Sequence, residues 1–378
     1  MSANDIKRKF YELACDYSWD TSANHTSLVL TGLNENLPQA LKLCADLTEQ
    51  GRISKAQYNK VVSLILKGRT DAKQDQRSCF SALRSYGTYG ENSPVRNIMS
   101  ERELKATDGN ELLNRLRVVR HTQPMTIMYY GPTSPQEIAS LVTRTYPRRK
   151  ALAYKNDGGN HYVAQETPKT EVWIAPYEAK NIYMMQLHNE NREWTPQNAP
   201  INALFNEYFG GGMNAVVFQE LREARGLAYS ASASYVEPYR KQDKEKFFTY
   251  IITQNDKMMD CIKEFNQLLN NFPQREAGFK LAQQSLMKSL ATSRVTRFDI
   301  LQAYMDAREL GLDYDIDRKI YEQIPSITLP ELVKYATDRI SSKPYRYLIL
   351  GDEQNLDMKS LEKIGPIRRL TTKDIFGY

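Results

Sequence analysis

The chain has 378 residues, 41% of them apolar and 25% charged, with a formal net charge of +6. That length predicts about two domains, each large enough to bury a core without disulfide or metal staples. No run of about 18 apolar residues occurs, so no membrane-spanning helix is expected, and the opening MSANDIKRKF lacks the apolar core of a signal peptide.

From the N-terminus, Leu28–Thr31 is rich in β-branched and apolar residues and reads as a strand. A polar turn and two helices follow, over 38–48 and 54–69. Further helices lead to Thr126-Ile-Met-Tyr-Tyr-Gly131, read as a strand that ends in glycine. Arg148-Arg149-Lys150 is the densest basic cluster, and Ala151–Lys169, with Gly158-Gly159 and Pro168, reads as a linker. Val172–Ile174 and Ile182–Leu187 are predicted strands. After a glycine-rich turn, Ala228–Tyr235 and Phe247–Ile252 are predicted as further strands, followed by helices over 257–270 and 274–292. Arg346–Gly351 closes the pattern as a strand.

The second series repeats the first. Thr126–Gly131 matches Arg346–Gly351 at an offset of 220, and Leu41, Cys44, Leu47, Tyr58 and Ile65 match Ile262, Phe265, Leu268, Phe279 and Leu286 at 221. Apolar character is kept at each pair, which marks an internal duplication. Strands mixed with helical hairpins predict an α+β fold: tandem duplicated domains, each a mostly antiparallel sheet packed with helices. The expected domains are 1–150, a linker at 151–170, and 171–378. The stretch from Glu171 to Leu221 has no counterpart ahead of Met1, so the first copy is expected to be truncated at its N-terminus.

Four scattered cysteines (Cys15, Cys44, Cys79, Cys261) form no CxxC pair. Cys44 and Cys261 sit at apolar positions of amphipathic helical patterns and read as small hydrophobes, and neither a disulfide framework nor a cysteine metal site is expected. The positive charge is spread along the chain without a nucleic-acid motif, so no nucleic-acid partner is expected.

The most informative stretch is Tyr208-Phe-Gly-Gly-Gly-Met-Asn-Ala-Val-Val-Phe-Gln-Glu-Leu-Arg-Glu-Ala-Arg-Gly-Leu-Ala-Tyr-Ser230. Its glycines can take positive φ and allow close backbone approach. Asn214 is a candidate N-cap for the following helix, and Gly226 is placed to end it in the left-handed conformation. A phosphate-binding loop would need a Lys-Ser or Lys-Thr after the glycines, and none is present.

This stretch, with Leu348–Asp352 and the closing Leu370–Gly377, resembles the insulinase-type (pitrilysin-type) zinc metallopeptidases. The resemblance covers nearly the whole chain and is strongest over 171–378. It implies tandem α+β domains forming half of a chamber that holds an unfolded peptide. Zinc in that family sits on an inverted HxxEH helix, where two His at i and i+4 share one face and the Glu acts as base on the attacking water. No HxxEH occurs here. His25, His121, His161 and His188 are isolated, and Asn202, Phe205 and Asn206 stand where the family has His, Glu and His. The helix expected to carry the third ligand in the first copy, Gln57–Arg69, contains no carboxylate.

The resemblance therefore implies a non-catalytic half of a zinc metalloendopeptidase, with no metal bound by this chain and zinc expected in a complementary N-terminal half or partner subunit. It assigns catalytic roles to Arg222 and Tyr229, which match an Arg/Tyr pair that the zinc-free half projects toward the scissile bond. Peptide contacts are expected at Arg225, Gly211, Gly212 and Asn214. In the first copy Phe10 stands opposite Arg222, so only the second copy keeps the pair. The expected partners are a peptide substrate, the zinc-bearing half and a possible second copy of the chain. The alternative is a catalytically inert structural subunit resembling the core proteins of respiratory complexes.

Overall fold

The computed structural model describes residues 1–22, 25–147 and 162–378. The Arg148–Lys150 cluster, His161 and residues 151–161 of the expected linker lie outside the described residues. The chain divides into two compact units. One contains Met1–Thr70 and the stretch that starts at Met99; the other contains Asp71–Ile98 and Tyr162–Tyr378. Residues 71–98, placed in the first domain by sequence order, thus belong physically with the second unit. The described end of the expected linker is built into that unit too. The Gln165 amide donates to Thr88 O at 2.7 Å, and Thr167 is buried.

The first unit holds a two-stranded antiparallel hairpin, β1 (Cys15–Thr21) and β2 (Thr26–Gly32), with Cys15 opposite Gly32. Ahead of it, Ala3–Glu12 is started by a reciprocal Ser2–Asp5 capping box. The hairpin and the helix Leu37–Gln50 enclose a small core of Phe10, Cys15, Ala40, Leu43 and Cys44.

The second unit is organised by a six-stranded sheet. Its strands are β3 (Glu171–Pro176), β4 (Asn181–His188), β5 (Ser230–Val236), β6 (Lys246–Gln254), β7 (Arg346–Gly351) and β8 (Ile367–Arg369). Their order is β5-β6-β4-β7-β3-β8. The first four strands in that order pair antiparallel, whereas β7–β3 and β3–β8 are parallel. Strand periodicity sends alternate side chains to opposite faces. Val172, Ile174, Ile182, Met184, Tyr347 and Ile349 enter a large core with the helices Met258–Asn270, Glu276–Thr292 and Leu329–Ile340. Trp173, Tyr183, Met185, Leu348 and Leu350 pack on the other face against Cys79, Phe80, Leu83 and Tyr86.

Those last four residues lie on the helix Gln76–Tyr89, which accounts for the grouping of 71–98 with this unit. The helix is pinned by cations as well as by packing. The Arg346 and Arg368 guanidiniums lie 4.4 and 4.6 Å from the Trp173 ring, Arg346 donates to Gly87 O at 2.7 Å, and Arg368 donates to Tyr86 Oη at 2.9 Å. All four cysteines of the chain are free and buried. A strand–helix–helix order recurs in both units, in keeping with the α+β reading.

One strand expected from the repeat is not formed. Thr126–Gly131 has no ladder partner among the described residues, and Ile127, Met128 and Tyr130 are exposed. Its counterpart β7 is buried between β4 and β3. Backbone hydrogen bonds to neighbours make a strand, and composition alone does not supply them.

Candidate functional site

Two segments on either side of the glycines frame the site. The helix Ala199–Phe205 widens into π-helical turns over Asn206–Gly210. The second helix begins at Val216–Phe218 and widens over Gln219–Ala224, ahead of β5. Gly210 is required by a close approach: a Cβ there would fall 1.9 Å from Ala233 O in β5. Positive φ is not the reason for the run, since φ is positive at Gly226 but not at Gly210, Gly211 or Gly212. Asn214 does not cap the second helix. Ala215 holds the N-cap position without a side-chain bond, and Gly211, Gly212, Met213 and Asn214 form an exposed turn.

The three positions that would carry a metal motif face inward and do other work. Asn202 is buried and donates through Nδ2 to Glu237 Oε1 at 2.8 Å and to Glu245 Oε1 at 3.4 Å. Tyr235 Oη donates to the other Glu245 oxygen at 3.1 Å. Burial pushes the Glu245 carboxyl above the usual carboxylate range, against the pull of these two donors. Phe205 is fully buried, stacked 5.3 Å from Phe209 and 6.0 Å from Phe272. Asn206 clamps β5: its Oδ1 accepts from the Tyr235 amide at 2.8 Å and its Nδ2 donates to Tyr235 O at 3.0 Å. An amide, a phenyl ring and an amide already committed to backbone do not fit zinc, which needs imidazole, thiolate or carboxylate ligands converging on one point. Among the described residues no group of three or more His, Cys, Asp or Glu is placed to hold a metal ion.

Arg222 and Tyr229 are brought together and face outward. The Arg222 guanidinium lies 4.9 Å from the Phe218 ring and 5.8 Å from the Tyr229 ring. Tyr229 is 74% exposed. The joint between them is rigid. Gly226 adopts φ of 57°, as expected at a helix end, and its amide bonds back to Arg222 O. Lys257 Nζ donates to Gly226 O at 3.0 Å, a cation at the negative end of the helix dipole. Leu227 and Ala228 amides both reach Leu221 O, and the Tyr229 amide donates to Ile252 O at 2.8 Å. The Tyr229 backbone is thus locked into the sheet edge while its ring stays in solvent.

Arg225 has a different environment. It contacts Glu264 at 3.1 Å and Glu220 at 3.6 Å, and Glu220 also pairs with Arg275. This carboxylate network was not anticipated, although Glu264 interrupts the apolar face formed by Cys261, Phe265 and Leu268, which is its sequence signal. In the first unit Phe10, opposite Arg222 in the repeat, is part of the core.

The site thus consists of a helix whose inward residues do not fit a metal, set beside an exposed Arg/Tyr pair at the edge of an α+β sheet. The family model for "Peptidase M16 inactive domain" matches residues 118–286, a span that contains both features. An "Uncharacterized zinc protease" of Rickettsia felis is 22% identical over 271 residues, covering 70% of this chain and 62% of its own length. The chain thus aligns with less than two thirds of that relative. Among solved structures, the peptidase M16 inactive domain from Pseudomonas fluorescens superposes with a TM-score of 0.71 at 17% identity, covering 93% of this chain and 84% of that one. A mutant of the ferredoxin protease FusC, solved in complex with Arabidopsis ferredoxin, gives 0.70 at 15% identity, over 93% and 38%. Over residues 118–286 the chain is thus similar to the inactive domain of the insulinase-type, M16 zinc metallopeptidases, and its sequence contains no HxxEH motif.

Proposed function

We propose that the chain is the zinc-free half of a zinc metalloendopeptidase, which encloses an extended peptide and offers Arg222 and Tyr229 to the bond cleaved in a zinc-bearing half. The observation that carries this reading is the exposed pairing of Arg222 with Tyr229 on a locked helix–strand joint. A large aromatic at 74% exposure has little to gain from packing there. A ligand surface accounts for it better.

The chemistry suits these residue types. As water attacks a peptide carbonyl, its oxygen gains negative charge, and a fixed hydroxyl donor favours that state over the ground state. Tyr229 Oη is the donor in this scheme. Arg222, over the ring, orients it and offers N–H donors to the peptide backbone. Arg225 is held by Glu264 and Glu220, so it shapes the wall rather than reaching the bond. The exposed turn at Gly211, Gly212 and Asn214 contributes backbone and amide contacts to the same peptide. The relatives named as zinc proteases, and the fold shared with a protease solved in complex with ferredoxin, support a protein or peptide substrate.

The test is kinetic and uses this chain assembled with its zinc-bearing half. Tyr229→Phe is expected to lower kcat by about 100-fold, with KM changed less than about threefold, as for loss of one oxyanion donor. An unchanged kcat would remove Tyr229 from the mechanism and favour an inert structural subunit of the same fold.

A further inference from the structure

The helix Gln76–Tyr89 covers only part of its face of the six-stranded sheet. Its buried side, with Phe80 and Leu83, packs on residues of β3, β4 and β7. Among the described residues none of β5 joins that cluster, and Phe248 and Tyr250 of β6 join it only half-buried. The ladder sets Ser232 opposite Tyr250 and Ser234 opposite Phe248. Alternation puts these four on the face toward the helix, because Ala233, Phe247 and Ile251 enter the large core on the other. A strip two strands wide is thus left between the helix and the sheet edge.

The strip is basic. Arg77 and Arg84 are exposed on the helix, two turns apart, and both act on the Tyr250 phenol, which places them beside the strip. Lys246 lies on the same face of β6. Burial holds its ammonium below the usual range, Asp243 opposes that shift, and Arg84 adds to it as a like charge. Among the described residues none of the three cations makes an ion pair with a carboxylate. Asp75, beside Arg77, is already engaged in capping the helix through Ser78. The hydroxyls of Ser232, Ser234 and Tyr250 make no hydrogen bond among the described residues either. Cations gathered without counter-charges repel one another, and an anionic partner relieves that repulsion.

From this we infer that the strip is a docking groove for an acidic, extended peptide segment. Its carboxylates meet Arg77, Arg84 and Lys246, and its backbone lies over Phe248 and Tyr250 within reach of the free hydroxyls. The dimensions suit such a ligand. Lys246 to Ile252 spans about 20 Å of strand, the length of roughly six extended residues. Arg77 and Arg84 stand about 10 Å apart along the helix, which matches carboxylates about three residues apart. A nucleic acid fits less well. The Tyr250 ring packs 5.5 Å from Phe80 and 6.3 Å from Tyr183, so it offers a hydroxyl more than a ring face for base stacking. The groove uses neither Arg222 nor Tyr229, and its occupancy does not depend on the peptidase reading.

The probe is a fluorescein-labelled peptide of about eight residues that alternates Glu and Val, and its binding to the full chain is followed by fluorescence anisotropy at low salt. The native chain is expected to bind it and to ignore the same peptide built from Lys and Val. Arg77→Glu with Arg84→Glu, both on the exposed side of the helix, should raise Kd at least about tenfold and should let the Lys–Val peptide bind. Arg318→Glu with Lys359→Glu makes the same change of net charge elsewhere on the second unit and should leave Kd unchanged. Ser232→Trp fills the strip without altering charge and should also weaken binding about tenfold, with thermal melts confirming the fold of each variant. Failure of the acidic peptide to bind at low salt, or an equal loss in the Arg318/Lys359 variant, would overturn the proposal. Tighter binding of a short oligothymidylate, lost in the Arg77/Arg84 variant, would assign the strip to nucleic acid and overturn it too.

Discussion

Asn206, which the sequence resemblance sets at a metal-binding histidine position, holds the outer edge of β5. Replacing it with alanine removes a bond at 2.8 Å from the Tyr235 amide and one at 3.0 Å to the Tyr235 carbonyl. Tyr235 is buried, so the two backbone groups would be left without partners in a site poor in water. At about 1–2 kcal/mol for each unsatisfied group, the cost is roughly 2–4 kcal/mol. The loss is local, because β5 keeps its ladder to β6. Native-state hydrogen exchange is therefore the suitable assay. Every 1.4 kcal/mol is tenfold, so amides of β5 should exchange roughly 30- to 700-fold faster in Asn206→Ala. Amides of β7, deep in the same sheet, should change far less. Acceleration below about threefold in β5 would mean that Asn206 does not clamp the strand.

Other outcomes follow from the same geometry. Gly210→Ala drives a Cβ onto Ala233 O and should cost about 3 kcal/mol. Gly212→Ala meets nothing within 4 Å and should stay within about 0.5 kcal/mol, a contrast that thermal melts of the two variants can read. His188 is buried, and that burial lowers its folded-state pKa. The unfolded chain then binds the proton more readily than the fold. Stability should be fully present above pH 6.5 and decline as pH falls through the folded-state value. Urea titrations at pH 8 and pH 5.5 should show a larger loss in the native chain than in His188→Gln, and equal losses would refute the assignment. Phe205→Ala empties the centre of an aromatic stack with Phe209 and Phe272 and should cost about 3–5 kcal/mol by chemical denaturation.

The strands of the second unit were readable because each combines β-branched or aromatic runs with burial that alternates or is continuous. Val172–Ile174, Ile182–Leu187 and Phe247–Ile252 all fall inside observed strands. The same reading failed at Thr126–Gly131, where composition matches β7 but the neighbours that would complete a ladder are missing. Arg222 and Tyr229 were singled out together by the family resemblance alone, and Gly226 fixes how the chain turns so that the two side chains meet. The role of the glycine run was not, because the need for Gly210 comes from Ala233, a strand away in sequence. The fate of Asn202 and Asn206 was equally hidden. Glu237, Glu245 and the Tyr235 backbone reach them only once β5 and β6 are folded against the helix.

The helix Gln76–Tyr89 has a practical consequence for handling this protein in pieces. It lies between stretches of the first unit in sequence, yet it covers Trp173, Met185 and Leu348 in the second. A protease nick or gene cut after residue 161 would respect the repeat and still strip one whole face of the six-stranded sheet. A fragment starting at Tyr162 should therefore be soluble only when residues 71–98 are supplied alongside it. The two halves of the sequence therefore cannot be exchanged as cassettes, because the folded body that contains Tyr162–Tyr378 also needs residues 71–98.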